Sequence, residues 1–164
     1  MRRPFVAGVA LLVAGLLGTA CSPAGNAGSA SLSSFASSTG IGGTIPMLEK
    51  LLGTAATALD DPATTVNQAH TVCGVLYLAS EQANSDLPSP DATISRLLAD
   101  AYSEIGAASE ACDKAVGNPA ELAKFKAHRS AAIGLLTEAT AALEARLGTL
   151  STSTTTPPGD QASQ

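Results

Sequence analysis

The chain has 164 residues and a formal net charge of −5, and its composition is 14% charged but only 3% aromatic. This length suits one small domain, whose core of mainly Ala, Leu, Val and Ile buries little area per residue. The acidic balance argues against a nucleic acid as partner, because affinity for nucleic acid comes mostly from Lys and Arg that contact phosphates.

The first 20 residues have the pattern of an export signal. A short basic start, "MRRP", precedes 16 apolar or small residues, "FVAGVALLVAGLLGTA". That run is shorter than the roughly 20 residues needed to span a bilayer, so a permanent transmembrane helix is the less favoured interpretation. The small residues Gly18 and Ala20 suit cleavage by a signal peptidase. We therefore expect residues 1–20 to be a cleaved signal peptide.

Cys21 directly follows this segment. "LGTAC", residues 17–21, resembles the lipobox of bacterial lipoproteins, although Gly18 stands where Leu is commonest. The resemblance implies that Cys21 is acylated, becomes the new N-terminus and anchors the protein to the extracytoplasmic face of the cell membrane. An ordinary cleavage that leaves a free thiol, and a cysteine there by chance, are the alternatives. The odd count of three cysteines favours lipidation, because Cys73 and Cys112 can pair with each other.

The two ends of the mature chain differ in composition from its middle. Residues 21–43 are rich in Ser, Gly and Ala and carry no charge, so we expect a flexible tether. Residues 151–164 are rich in Ser, Thr and Pro, and we expect a disordered tail. Residues 44–150 remain as the folded domain.

Within 44–150, apolar residues recur every three or four positions in four segments, which predicts four helices. "DDP" at 60–62 separates the first two and opens the second, and "NSDLPSPD" at 84–91 separates the next two. Gly117 and the capping box "NPAE" at 118–121 separate the last two. We therefore expect an all-α fold, a small four-helix bundle. The third helix has the most regular buried face: Ile94, Leu98, Ala101, Ile105, Ala108, Cys112 and Ala115.

Cys73 and Cys112 lie on apolar faces of the second and third predicted helices, so in an exported protein we expect a disulfide. Closing a loop of this length stabilises a fold by about 4 kcal/mol. A tight turn near Asp86 would leave Cys112 roughly 18 Å beyond the level of Cys73. The disulfide therefore requires residues 84–90 to run extended along the start of the third helix.

The order of these features resembles that of small exported helical proteins of actinobacteria that have no known function. The features are Cys73, "LPSPD" at 87–91, and Cys112 followed by "DKAVGNPAEL". The resemblance covers roughly residues 66–145 and implies no activity.

Few residues suggest chemistry. His70, Cys73 and Tyr77 share one helix face, but the disulfide would occupy the thiol and the only other histidine is His128. A structural zinc site needs four ligands, so we expect no metal, no cofactor and a partly buried, structural His70. Lys124, Lys126 and Arg129 could contact anionic lipids or a wall polymer, but we expect a solvated face with an ion pair between Glu121 and Lys124.

No nucleophile elbow, phosphate-binding glycine loop or acid–base pair is present in the sequence, so we expect no catalytic residue and no enzyme. We expect a lipid-anchored module that binds another protein of the cell envelope. The alternative is a carrier of a small apolar ligand or lipid, which needs a roomy cavity lined by large side chains. Small residues at expected helix contacts favour the first interpretation: Ala101, Ala108, Ala115, Ala132 and Ala139.

Overall fold

The computed structural model describes residues 27–153, which are all-α. The helices are α1 (Ala27–Thr39), α2 (Ile41–Asp60), α3 (Val66–Asn84), α4 (Ala92–Asp113) and α5 (Pro119–Ser153). Helices α2 to α5 form an antiparallel bundle in which α3 packs between α2 and α4, and α5 packs against α4 and α2. The expected all-α class is confirmed, but the expected count of four helices is wrong by one.

The additional helix, α1, lies in the segment expected to be a flexible tether. Its Leu32 is 3% exposed within the core, and Phe35 and Ala36 pack against the core on the same face. Gly40, at φ 60°, joins α1 directly to α2, a backbone conformation that glycine adopts without steric cost. Packing of these three apolar residues therefore holds a Ser-rich segment in a helix that its composition disfavours.

Several expectations fall on the chain ends. The signal peptide at 1–20, Cys21 with the rest of 21–26, and residues 154–164 of the expected tail lie outside the described residues. Residues 151–153, also assigned to that tail, form the last turn of α5. The folded unit thus begins earlier and ends later than the expected 44–150.

The buried faces follow the predicted periodicity. All seven residues of the regular face of α4 and its C-terminal extension are no more than 5% exposed. The five alanines expected at helix contacts are buried too, which lets helix backbones approach closely. Val66 is the exception in α3 at 60% exposed, because it is the first residue of that helix, one turn before the buried Ala69.

The start of α3 differs from the expectation. Asp61 does not open the helix; its carboxylate accepts a hydrogen bond from the backbone N–H of Ala63 at 2.9 Å and closes a turn. The helix begins at Val66, after a capping box in which the Thr65 hydroxyl accepts from the backbone N–H of Gln68 and the side-chain oxygen Oε1 of Gln68 accepts from the backbone N–H of Thr65.

Helices α4 and α5 begin at well-defined caps. Asp91 caps α4 by accepting hydrogen bonds from the N–H groups of Thr93 at 2.9 Å and Ile94 at 3.0 Å. Gly117, at φ 71°, ends the turn after α4. Asn118 then accepts from the Glu121 N–H at 3.4 Å, as the expected cap of α5.

The link between α3 and α4 determines how the two helices overlap. Residues 85–86 form a turn, residues 87–89 have no regular structure and residues 90–91 form a bend, so the link is as long as expected but does not run extended over all of 84–90. Ala83, near the end of α3, and Tyr102, ten residues into α4, line the same small cavity. The first roughly 15 Å of α4 therefore extends beyond the end of α3, as the disulfide requires.

Candidate functional site

A disulfide joins α3 to α4. Cys73 and Cys112 lie with their Cα atoms 5.8 Å apart, and they are 1% and 0% exposed. The Ser109 hydroxyl donates a hydrogen bond to the Cys73 carbonyl oxygen at 2.6 Å, one turn away from the disulfide. These contacts fix the spacing of the two helices at one end.

An open groove follows the same two helices away from the disulfide. Its volume is about 560 Å³, and Tyr102 contributes to its base. The wall on α3 comprises Tyr77, Glu81 and Asn84, and the wall on α4 comprises Ala99, Ser103, Gly106, Ala107 and Glu110. We call this feature the α3/α4 groove.

Large apolar side chains are exposed on α3. Tyr77, in the groove wall, is 44% exposed, while Val75 and Leu78 are 48% and 68% exposed. Leu78 lies three residues before Glu81, so its side chain emerges on the turn next to the groove's acidic edge. Exposed apolar residues that recur along one helix are typical of surfaces that contact other molecules.

The charge of this region is strongly one-sided. Residues 51–113 contain nine Asp or Glu residues and one Lys or Arg, Arg96. Four of these carboxylates pair with His70 or with side chains of α5, namely Asp60, Asp91, Glu104 and Asp113. Within residues 27–153, Glu81 and Glu110 have no Lys, Arg or His nitrogen within 4.0 Å. The groove therefore carries an excess of negative charge that the fold does not neutralise locally.

The two histidines pair with carboxylates. Nδ1 of His70 lies 2.5 Å from Asp113 Oδ1, and Nδ1 of His128 lies 2.8 Å from Glu104 Oε2. The side chain of His70 is 74% exposed, so the expectation of a partly buried histidine is wrong: His70 points away from the core, whereas its neighbour Ala69 is buried in it. Within residues 27–153, no group of three or more His, Cys, Asp or Glu is arranged to hold a metal ion.

The basic residues of α5 contact neighbouring groups of the fold. Lys124 forms the expected ion pair with Glu121 at 2.8 Å, and its hydrogen bond lowers the pKa of the Glu121 carboxyl. Lys126 pairs with Asp60 at 2.9 Å, and Arg129 Nε donates to the carbonyl oxygen of Leu52 at 3.3 Å. The last two interactions tie α5 to α2.

Two other spaces matter for the carrier alternative. An open groove of about 570 Å³ between α2 and α5 is lined mainly by apolar side chains, among them Ile45, Pro46, Leu143 and Leu147. By contrast, the cavity beside Tyr102 has a volume of only about 10 Å³, which is about enough for one water molecule.

The periodicity of single helices does not reveal the α3/α4 groove, because a small residue on a helix suits close packing as well as an open surface. The distribution of basic residues is the signal that points to it: the segments 51–95 and 97–113 contain no Lys or Arg. The disulfide partners Cys73 and Cys112, by contrast, are brought together as the sequence predicts.

No family model, no curated protein and no solved structure matches this chain. Within the described part of the chain, no helix is both long enough and apolar enough to cross a membrane.

Proposed function

We propose that this chain is a lipid-anchored, non-catalytic module on the extracytoplasmic face of a cell membrane, where its helical bundle binds another protein of the envelope. The observation that carries the proposal is the α3/α4 groove, an open surface with the exposed Tyr77 in its wall and the exposed Leu78 on the adjoining turn of α3. Tyrosine in such a surface suits protein contact, since aromatic residues are enriched in interfaces.

The disulfide supports this role by making the surface rigid. Because Cys73 and Cys112 fix α3 against α4, the groove does not need to be ordered when a partner binds, which lowers the cost of association. A buried disulfide also suits an oxidising compartment outside the cytoplasm. Membrane attachment rests on the resemblance of residues 17–21 to a lipobox, with Cys21 as the lipidation site.

The binding role is tested by photo-cross-linking in the native bacterium. A photoreactive amino acid at position 78, next to the groove, should capture one defined protein. The same residue at position 138, an exposed site on α5, is the matched control and should not capture it. Equal capture at both positions, or no capture at position 78, would contradict the proposal.

The anchor is tested by mass spectrometry of denatured protein extracted from its own membranes. The expected mass begins at Cys21, includes acyl chains and is two hydrogens lower than that of the dithiol form. A mass without lipid would show that the interpretation of Cys21 is wrong, and two free thiols would show the same for the Cys73–Cys112 pair.

The α2/α5 groove favours the second candidate function, a carrier of a small apolar ligand or lipid. Its lining is apolar and its volume lies in the range of small-molecule sites, although it is open along the surface. Native mass spectrometry of the same extract distinguishes the two candidates. A bound small molecule that Ala141→Glu, at an exposed position of the groove lining, releases would support the carrier, whereas a protein complex that survives this substitution would support the binding module.

A further inference from the structure

We propose that the α3/α4 groove takes an α-helix of the partner, with Lys or Arg along its edges and small or aliphatic residues toward the groove floor. This inference rests on the proposed function, because it specifies the chemistry of the partner's docking segment. Its basis is that the groove combines small residues of α4 (Ala99, Gly106 and Ala107), which we call its floor, with one exposed carboxylate on each of its two helices, Glu81 and Glu110.

The shape of the groove fits a helix. The residues of its α4 wall recur along one face from Ala99 to Glu110, which are eleven residues or about 16 Å apart along the axis. That length matches three turns of a partner helix. Ala99, Gly106 and Ala107 carry at most a methyl side chain, so a partner backbone can approach α4 closely and pack its ridges between α3 and α4.

The negative charge at the two edges of the groove favours a positively charged partner segment. Glu81 stands on the α3 edge and Glu110 on the α4 edge, and both are exposed. Asp86, exposed in the link after α3 and near Tyr102, adds a further carboxylate beyond the groove, so a cationic segment is attracted from a distance of several ångströms. An anionic lipid surface or a nucleic acid would be repelled by the same groups. A basic amphipathic helix can place its apolar face on the floor of the groove and its Lys or Arg side chains beside Glu81 and Glu110.

The structure offers a substitution that closes the groove without harming the fold. A Cβ atom built on Gly106 meets no other atom within 4 Å, and glycine is the least favourable residue for a helix interior apart from proline. Gly106→Leu should therefore fold normally while its side chain fills the floor. Gly134, on α5, also has open space around its Cβ position, so Gly134→Leu is the matched control.

The probe is an 18-residue synthetic helical peptide with Ala and Leu on one face and Lys along both edges of that face. A second peptide with Glu in place of every Lys is the charge control. Each carries a fluorescent label, and its binding to the full mature chain in detergent is followed by fluorescence anisotropy. The variants compared are Gly106→Leu, the double charge reversal Glu81→Lys with Glu110→Lys, and the controls Gly134→Leu and Glu138→Lys.

The Lys peptide should bind and the Glu peptide should not. Gly106→Leu and the double charge reversal should each weaken binding about tenfold or more, and the two control variants should change it less than twofold. Higher salt should weaken binding, because the edge contacts are exposed ion pairs. Equal effects of the groove and control variants, or no binding of the Lys peptide, would overturn the inference.

The cross-linking at position 78 separates this inference from the function on which it rests. A captured partner whose cross-linked segment is a basic helix supports both. A partner captured through an acidic or non-helical segment overturns only the inference. If no partner is captured, the proposed function itself fails.

Discussion

Burial controls the ionisation of Tyr102, whose side chain is 5% exposed beside the end of α3. Loss of hydration, followed by the negative charge of Asp86, raises the pKa of Tyr102 from 10.0 to about 12. Between these values the folded chain holds its phenolic proton more tightly than the unfolded chain does. The stability from this group is therefore complete below pH 10 and is lost as the pH rises toward 12.

This shift gives a testable pH dependence. Between pH 9 and pH 11, the free energy of unfolding of the wild type should fall by about 1 kcal/mol more than that of Tyr102→Phe. The phenylalanine keeps the ring in place and removes the ionisable group, so the difference isolates Tyr102. Urea unfolding at the two pH values measures it, and parallel losses in both proteins would show that Tyr102 titrates as in water.

The disulfide stabilises the fold by restricting the unfolded chain. Replacing Cys73 and Cys112 together by alanine should lower the free energy of unfolding by about 3–5 kcal/mol, because the unfolded chain regains the freedom that a 39-residue separation allows. Urea unfolding of the variant, with the reduced wild type as a second measurement, checks the value. A loss below about 1 kcal/mol would show that the closed loop contributes little to this fold.

Among the elements, α1 contradicts the sequence interpretation most directly. Its Leu32 is buried, whereas the next residue, Ser33, is exposed. Leu32→Ala should remove much of the apolar area that holds α1 on the bundle and so weaken the docking of α1 by about 2–3 kcal/mol. The helix should then detach locally while the rest of the bundle stays folded.

Hydrogen exchange read by mass spectrometry measures this undocking. In the wild type, amide protons in residues 31–39 should be protected, and Leu32→Ala should abolish that protection while leaving α3 and α4 protected. Ser33→Ala is the control and should preserve the wild-type pattern. Rapid exchange of residues 31–39 in the wild type would instead support the flexible tether.

How much the sequence predicts depends on how many large apolar residues an element has. The periodic faces of α2 and α4 are confirmed because Ile and Leu recur through several turns. In α1 only Leu32 and Phe35 are large and apolar, and the Ser, Ala and Gly residues around them are typical of linkers. Predicting the α3/α4 groove requires knowledge of how α3 and α4 lie relative to each other. This relative position depends on the disulfide and on the length of the link between the two helices.

With Cys21 lipidated as proposed, the start of α1 determines how far the bundle can stand from the membrane. With a tether over 21–43, the domain would stand off the lipid surface by roughly 25 Å, the average reach of a flexible chain of that length. Because α1 begins at Ala27, only five residues separate a lipidated Cys21 from the folded unit, and the six Cα–Cα steps between Cys21 and Ala27 span at most about 20 Å. The anchor would then keep the bundle close to the lipid surface.

The short connection between Cys21 and α1 predicts that the anchor sets the height of the bundle above the lipid surface. In vesicles that contain acceptor-labelled lipids, a donor fluorophore at position 33 on the lipidated protein should transfer energy efficiently. Insertion of 20 Gly and Ser residues between Cys21 and Ala27 should lower the transfer, because the added chain lets the bundle move away from the surface. The same insertion after residue 153 is the control and should leave the transfer unchanged. If the N-terminal insertion has no effect, the bundle is held at the surface by contacts other than the anchor, and the short connection does not set its height.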